Sequence, residues 1–282
     1  MTTIVTSHSS TILSSVVSEY FSQKPAAGRY WPELQHRFQV EIVPALGSYK
    51  LIRDITKKDI RALLEAKRRI YPAAARTMYD GLRPFFKWCI SYDYLSVSPL
   101  EGLFPPPAPA SRDRILSPLE IISIWRATDD DNVFSPFFRL LLLTGQRRQE
   151  VSGMASNEIN DQLWIIPSCR TKTKTPSVVS LSTLASIEIQ RCRYIDRGLS
   201  GFSKAKARLD RLSGVSNWRI HDLRRTCASY MAMQAVPEHI IERVLNHRIP
   251  GVRGIYNRYS YIQEKAEGLQ KLSNYIFNLT TM

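Results

Sequence analysis

The chain has 282 residues, 44% hydrophobic and 23% charged, a globular balance that excludes disorder. It carries 39 Lys and Arg against 25 Asp and Glu, a net charge of +14, and the excess is shared: 14 against 9 over residues 1–108, and 25 against 16 thereafter. A charge spread over the whole body excludes a mere basic tail and favours a polyanion, with DNA or RNA ahead of an anionic membrane because no amphipathic lysine-rich anchor is present.

Residues 1–104 read as helices. "TILSSVVSEYFSQ" is one candidate, and "WPELQHRFQVEIVPAL" a second, with Leu34, Phe38 and Ile42 four apart on one face. "TKKDIRALLEAKRRI" sets Thr56 as N-cap with Asp59 three residues on, a capping-box arrangement. "AAARTMYDGLRPFFKWCISYDYL" gathers Leu82, Phe85, Phe86 and Cys89 on one side, with a kink expected at Pro84. Together they make a small basic bundle, which taken alone also suits a protein partner.

"FPPPAPASRDR" follows, and its prolines block both helix and sheet, so residues 105–114 are expected to be a semi-rigid linker. The second domain, 115–282, opens on "SPLEIISIWRATD", where Ser117 caps, Pro118 takes the first helical position and Glu120 completes the box. "SPFFRLLLLTGQRRQEVSGM" predicts a buried helix, a turn at Thr144-Gly145 and a second helix start. "DQLWIIPSCRTKTKTPSVVSLS" reads as two β runs around a polar turn. "NWRIHDLRRTCASYMAMQAV", "EHIIERVLNHR" and "SYIQEKAEGLQKLSNYIFNL" are helical in period. The predicted architecture is mainly α with one small β-sheet.

The four cysteines, Cys89, Cys169, Cys192 and Cys227, are scattered, so neither a zinc site nor a disulfide framework is expected. No signal peptide and no run of about 18 apolar residues is found, which implies a soluble protein of a reducing compartment.

The chemistry-bearing residues lie in the second domain. His221 and Arg224 are three apart and share a helix face, whereas Arg225 points to a neighbouring one and suits a phosphate or solvent contact. Arg147 follows the Thr-Gly turn after a very apolar helix, with Glu150 placed to orient it and Arg148 pointing elsewhere. Lys172 and Lys174, beside Arg170, lie in the turn between the β runs and are equally eligible to reach a cleft. His247 ends a helix with core positions Ile240, Ile241, Val244 and Leu245, while His239 at that helix's start reads as structural. Three tyrosines, Tyr256, Tyr259 and Tyr261, crowd the segment beyond. No carboxylates are paired for metal-assisted chemistry, and the run Asp129 to Asp131 reads as a solvated loop. Many cations without metal ligands suit a phosphodiester whose developing charge is held by arginine forks.

"TGQRRQE", "RTKTKTPSVVSLS", "HDLRRT", "LNH" and a tyrosine nine residues after that histidine stand in the order seen in tyrosine recombinases, and the chain most resembles integrases of temperate phages and genomic islands. The resemblance covers nearly the whole chain and implies a helical core-binding domain followed by a catalytic domain. It implies that Arg147 and Arg224 clamp the scissile phosphate, that Lys172 is the general acid and that His221 assists proton transfer. It further implies that His247 bonds the phosphate, that Glu150 supports the site and that Tyr256 is the nucleophile. Arg148, Arg170, Lys174, Arg225 and Arg248 are then DNA contacts. Ser177, Ser180 and Asn246 depart from the residues usual at their positions.

The implied partners are double-stranded DNA and three further copies of the chain in a tetramer. Accessory bending or directionality proteins are also implied, with no cofactor, metal or membrane. The apolar stripe Ile262, Ala266, Leu269, Leu272 and Ile276 on the last helix either packs on its own domain or passes to a neighbouring subunit, as in relatives. The two domains are expected to clamp DNA in the bacterial cytoplasm, at the nucleoid. A dimer resolvase or invertase of the same chemistry, a non-catalytic DNA-binding regulator and an RNA-binding bundle are the alternatives.

Overall fold

The computed structural model describes residues 11–24, 30–108, 110, 112–247 and 259–281. The chain divides into two compact units, residues 1–111 and 112–282.

In the first unit α1 (Leu13–Ser22) buries Leu13, Val16, Val17, Tyr20 and Phe21. The next helical run is α2 (Tyr30–Arg37), a π-turn (Phe38–Ile42) and α3 (Val43–Leu46), and it buries Leu34, Phe38 and Ile42 as their spacing required. A 3₁₀ turn (Ile52–Asp54) leads to α4 (Lys57–Ile70), whose capping box forms: the Thr56 N–H donates to Asp59 at 2.8 Å, and the Asp59 N–H to the Thr56 hydroxyl at 3.3 Å. Helix α5 (Pro72–Ser91) runs on through Pro84. Tyr20, Phe38 and Phe85 meet edge to face, with centroids 5.0–5.3 Å apart, at the centre of this core.

The second unit is built around α7 (Ser135–Thr144), all ten residues of which are buried. It packs against α9 (Thr183–Arg191) and α11 (Ile220–Met233). Before it comes α6 (Pro118–Ala127), where Ser117 and Glu120 form the expected box. After α8 (Arg148–Ser152) come β1 (Ile159–Asn160), β2 (Leu163–Ile166) and β3 (Ser177–Ser180), an antiparallel sheet in the order β1-β2-β3 with Trp164 opposite Val179. Then follow α10 (Phe202–Ser213), α12 (Glu238–Val244) and α13 (Ile262–Thr281).

Two features go beyond the sequence reading. Helices α9 and α10 and the short strand β1 were not anticipated; α9 buries only Ala185 and Glu188 and α10 only Leu209, so neither presents a broad apolar face. The aspartate run is a loop with Asp129 and Asp131 exposed, as read, but it is also paired: Asp130 accepts from Ser135 and, at 2.7 Å, from Arg208, and Asp129 pairs with the buried Arg139 at 3.3 Å. Arg139 is completed by Glu188 at 2.8 Å, a buried pair that ties α7 to α9, while the Asp130–Arg208 pair reaches α10 nearer the surface. Of the two arrangements expected for the last helix, this structure has the first. Leu269, Leu272 and Ile276 join the unit's own core, and the buried Lys265 ammonium donates to the Val178 carbonyl at 2.7 Å. Among the described residues no helix is long and apolar enough to cross a membrane.

Candidate active site

The site begins where α7 stops. Gly145 takes φ 64°, the left-handed cap that glycine adopts at least cost, and a Cβ there would lie 2.9 Å from both the Cys227 sulfur and a Leu245 methyl. Gln146 follows, fully buried, and its Nε2 donates to the carbonyls of Thr144 and Val244, both at 2.8 Å. Only the NH₂ end of the amide can serve two carbonyls, which fixes its orientation.

Arg147 emerges next, half-buried. Its N–H donates to Glu150 Oε2 at 2.7 Å, and its guanidinium reaches Glu150 Oε1 at 3.0 Å and the Asn246 carbonyl at 3.4 Å. Glu150 is only 2% exposed, so the carboxylate is a fixed strut. Arg224, from α11, is 4% exposed and donates to the carbonyls of Gly145, at 2.6 Å, and Leu245. Three successive carbonyls at the end of α12, those of Val244, Leu245 and Asn246, are thus taken by Gln146, Arg224 and Arg147. Carbonyls at a helix C-terminus lack internal partners and carry the negative end of the dipole, so two guanidiniums are natural caps. Asn246 makes this possible by sitting at φ 50°, the left-handed position after a helix that glycine or asparagine fills.

Burial, and then the neighbouring Arg147 charge, bring the Arg224 guanidinium down to about 10. The His221 ring is likewise pushed below the usual 6.5, by partial burial first and then by the charges of Arg224 and Arg225. It is therefore the neutral imidazole at pH 7, able to accept a proton. Arg225→Gln removes one of those charges, and ring NMR of the DNA-free protein should show the His221 midpoint rise towards 6.5. An unmoved midpoint would leave burial and the Arg224 charge to carry the shift.

Arg147, Glu150, Lys172 and His221 line one cleft of about 900 Å³. Seven Lys and Arg line it in all against a single carboxylate. Some are already engaged: Arg170, expected at DNA, turns inward to Glu158 at 2.5 Å and to the Glu150 carbonyl, and Lys206 pairs with Asp210 at 2.5 Å. Arg225, outside the cleft lining, pairs with Asp222 at 2.7 Å. Arg148 stacks over Phe202, 4.9 Å from its centroid, and makes no ion pair among the described residues. Lys172 and Lys174 are exposed at the tip, which Thr171 closes by donating to the Thr175 carbonyl at 2.7 Å; Lys174 holds φ 59°.

His247 lies just past α12. Its N–H donates to the Glu242 carbonyl at 3.0 Å, and its Nδ1 lies 2.7 Å from Glu242 Oε2. Tyr256 and Arg248 lie outside the described residues. Tyr259 and Tyr261 pack together at the start of α13, where Arg243 stacks on the Tyr261 ring and donates to the Tyr259 carbonyl at 3.3 Å. His239, read as structural, is exposed and meets Tyr261 edge-on. The structure thus brings Arg147, Glu150, Lys172 and His221 to one cleft, sets Arg224 against Arg147, and joins His247 to them through Asn246. Sequence reasoning missed Gln146, Phe202, Lys206 and Arg219. A buried glutamine leaves no periodic signal, whereas the cations of "SKAKARLDR" in α10 were available to be read.

The chain matches no protein-family model. It is 26% identical over 268 residues to the prophage integrase IntZ of Escherichia coli strain K12, an alignment covering 88% of this chain and 66% of that protein. Among solved structures, it is similar to a lambda integrase tetramer bound to a Holliday junction, with TM-score 0.73 and 18% identity over 87% of this chain and 80% of that one. It is also similar to the Tn1549 transposon integrase in complex with circular intermediate DNA, with TM-score 0.65 and 12% identity over 92% and 99% of the two chains. At these identities the structures establish a shared fold.

Proposed function

We propose that this chain is a tyrosine recombinase, a site-specific DNA recombinase that integrates or excises a mobile element, a reading supported by its motif order, its fold and its likeness to a prophage integrase. The observation that carries this reading is the pair Arg147 and Arg224. Two guanidiniums are held close enough for their charges to act on each other, one of them only 4% exposed, and the one carboxylate bonded to the pair, Glu150, meets Arg147. Like charges held together at such a cost suit an anion that bridges them, and a phosphodiester accepts two forks at once.

In this reading Tyr256 Oη attacks phosphorus as its proton passes towards His221, the P–O5′ bond breaks, and Lys172 protonates the departing 5′-oxygen. The product is a 3′-phosphotyrosyl bond, which a 5′-hydroxyl of a second duplex then attacks, reforming the phosphodiester without ATP. His247 bonds the phosphate, and Glu150 holds Arg147 in place. Arg148 and Lys174, unpaired in the cleft, meet the flanking backbone with Arg248. The first unit serves as the core-binding domain and the second as the catalytic one. The working form is a tetramer on two duplexes, acting at the bacterial nucleoid.

A nicked duplex from the flanks of the protein's own locus traps the cleaved state, because the freed short strand diffuses away. The expected result is a protein–DNA adduct that survives denaturation and maps by mass spectrometry to the peptide containing Tyr256. An adduct on Tyr259 would keep the chemistry and move the nucleophile. Specific binding with no adduct would replace the recombinase with a DNA-binding regulator.

A further inference from the structure

The end of α12 holds one pair that the site as described leaves unused. Glu242 grips His247 twice: its carbonyl takes the His247 N–H at 3.0 Å, and its carboxylate meets Nδ1 at 2.7 Å. The first bond closes the helix across Asn246 and fixes the backbone of His247 relative to α12. The second fixes the ring. Because the Leu245 and Asn246 carbonyls of the same turn are held by Arg224 and Arg147, the ring's mount is also the arginines' mount. Glu242 lies near enough for its charge to act on Arg224.

We infer that Glu242 is a positioning residue for His247, one that selects which ring nitrogen faces the phosphate and in what form. This rests on the recombinase reading above. With Nδ1–H given to the Glu242 carboxylate, Nε2 is the nitrogen left for a ligand. Nε2 can donate to a phosphate oxygen only if it also bears a hydrogen, so the ring that binds phosphate is the doubly protonated one. A carboxylate on one side and a phosphate on the other then stabilise the same imidazolium. Without Glu242 the ring can rotate, or present Nε2–H as a neutral tautomer, and the added positive charge beside the transferring phosphoryl group is lost.

The test compares Glu242→Ala and Glu242→Gln with Glu238→Gln, which removes a carboxylate from the first turn of the same helix. Two readouts are used: nitrogen NMR of the His247 ring in the DNA-free protein, assigned by His247→Gln, and single-turnover adduct formation on a nicked locus-derived duplex at saturating protein. Glu242→Ala is expected to change the ring-nitrogen signals and slow adduct formation about 10-fold, the lower end for groups that orient a metal-binding histidine. DNA affinity should be held or slightly tightened and the melting temperature kept. Glu242→Gln, which retains an acceptor but no charge, should fall between Glu242→Ala and the parent. Glu238→Gln should leave both readouts unchanged. Parental cleavage by Glu242→Ala, or unaltered ring signals, would overturn the assignment. If the parent protein forms no adduct on any such duplex, the recombinase reading itself fails and this inference falls with it.

Discussion

Arg224→Ala should lower covalent cleavage by about 100-fold or more, and destabilise the second unit at the same time. The catalytic loss is that expected for a donor that stabilises developing phosphoryl charge. The stability loss has a separate origin. Arg224 is almost wholly buried and serves the Gly145 and Leu245 carbonyls, so truncation leaves two buried acceptors unmet and a void behind them. Each unmet acceptor costs about 1–3 kcal/mol, offset in part because a buried, desolvated charge is removed too. Arg147→Ala should match the cleavage defect and also lower the melting temperature, since it leaves the buried Glu150 carboxylate without its guanidinium partner. Arg224→Lys keeps the charge but cannot span both carbonyls, and should remain far below the parent. Single-turnover adduct formation and calorimetry on the three variants check this. Parental cleavage by either alanine variant would refute the phosphate clamp.

Gly145→Ala should be the most damaging single methyl in the second unit. The left-handed φ costs a non-glycine residue about 1–2 kcal/mol, and the new Cβ would press on Cys227 and Leu245 at 2.9 Å, where overpacking adds about 1–3 kcal/mol. Gly214→Ala is the internal control: Gly214 has φ 69°, but a Cβ there meets nothing within 4 Å, so it bears the backbone cost alone. Calorimetry should show a clearly larger drop in melting temperature for position 145 than for 214, on the order of 10 °C against a few degrees. Equal drops would mean that the Cys227–Leu245 wall yields. Cleavage should fall with Gly145→Ala as well, because relief of the clash moves Gln146 and Arg147.

How much of this could be read from the sequence depends on what kind of signal each part leaves. Both capping boxes were legible, because Thr56 to Asp59 and Ser117 to Glu120 act within four residues. The buried helix before Gly145 was legible from its unbroken leucines. The two arginines and His221 were placed by motif order, yet what holds them was not: Arg224 meets carbonyls 79 and 21 residues away, and Gln146 one 98 residues away. No local pattern encodes such contacts. Arg170 reads in sequence as one more exposed cation beside Lys172, and only the fold shows it turned in to Glu158. The aspartates at 129–131 read correctly as a solvated loop, but the pairing of Asp130 with Arg208, 78 residues on, was not legible.

The laced end of α12 also makes the site handed. Each guanidinium has five N–H groups. Arg147 gives two to Glu150 and Asn246, and Arg224 gives two to Gly145 and Leu245, always to partners fixed by the fold. The remaining donors are therefore not equivalent about the line joining the two arginines. The two non-bridging oxygens of a DNA phosphodiester are stereochemically distinct, and a rigid, lopsided set of donors cannot treat them alike. If the proposed clamp holds a phosphodiester, each of its two non-bridging oxygens is expected to meet a different set of donors before any bond is broken.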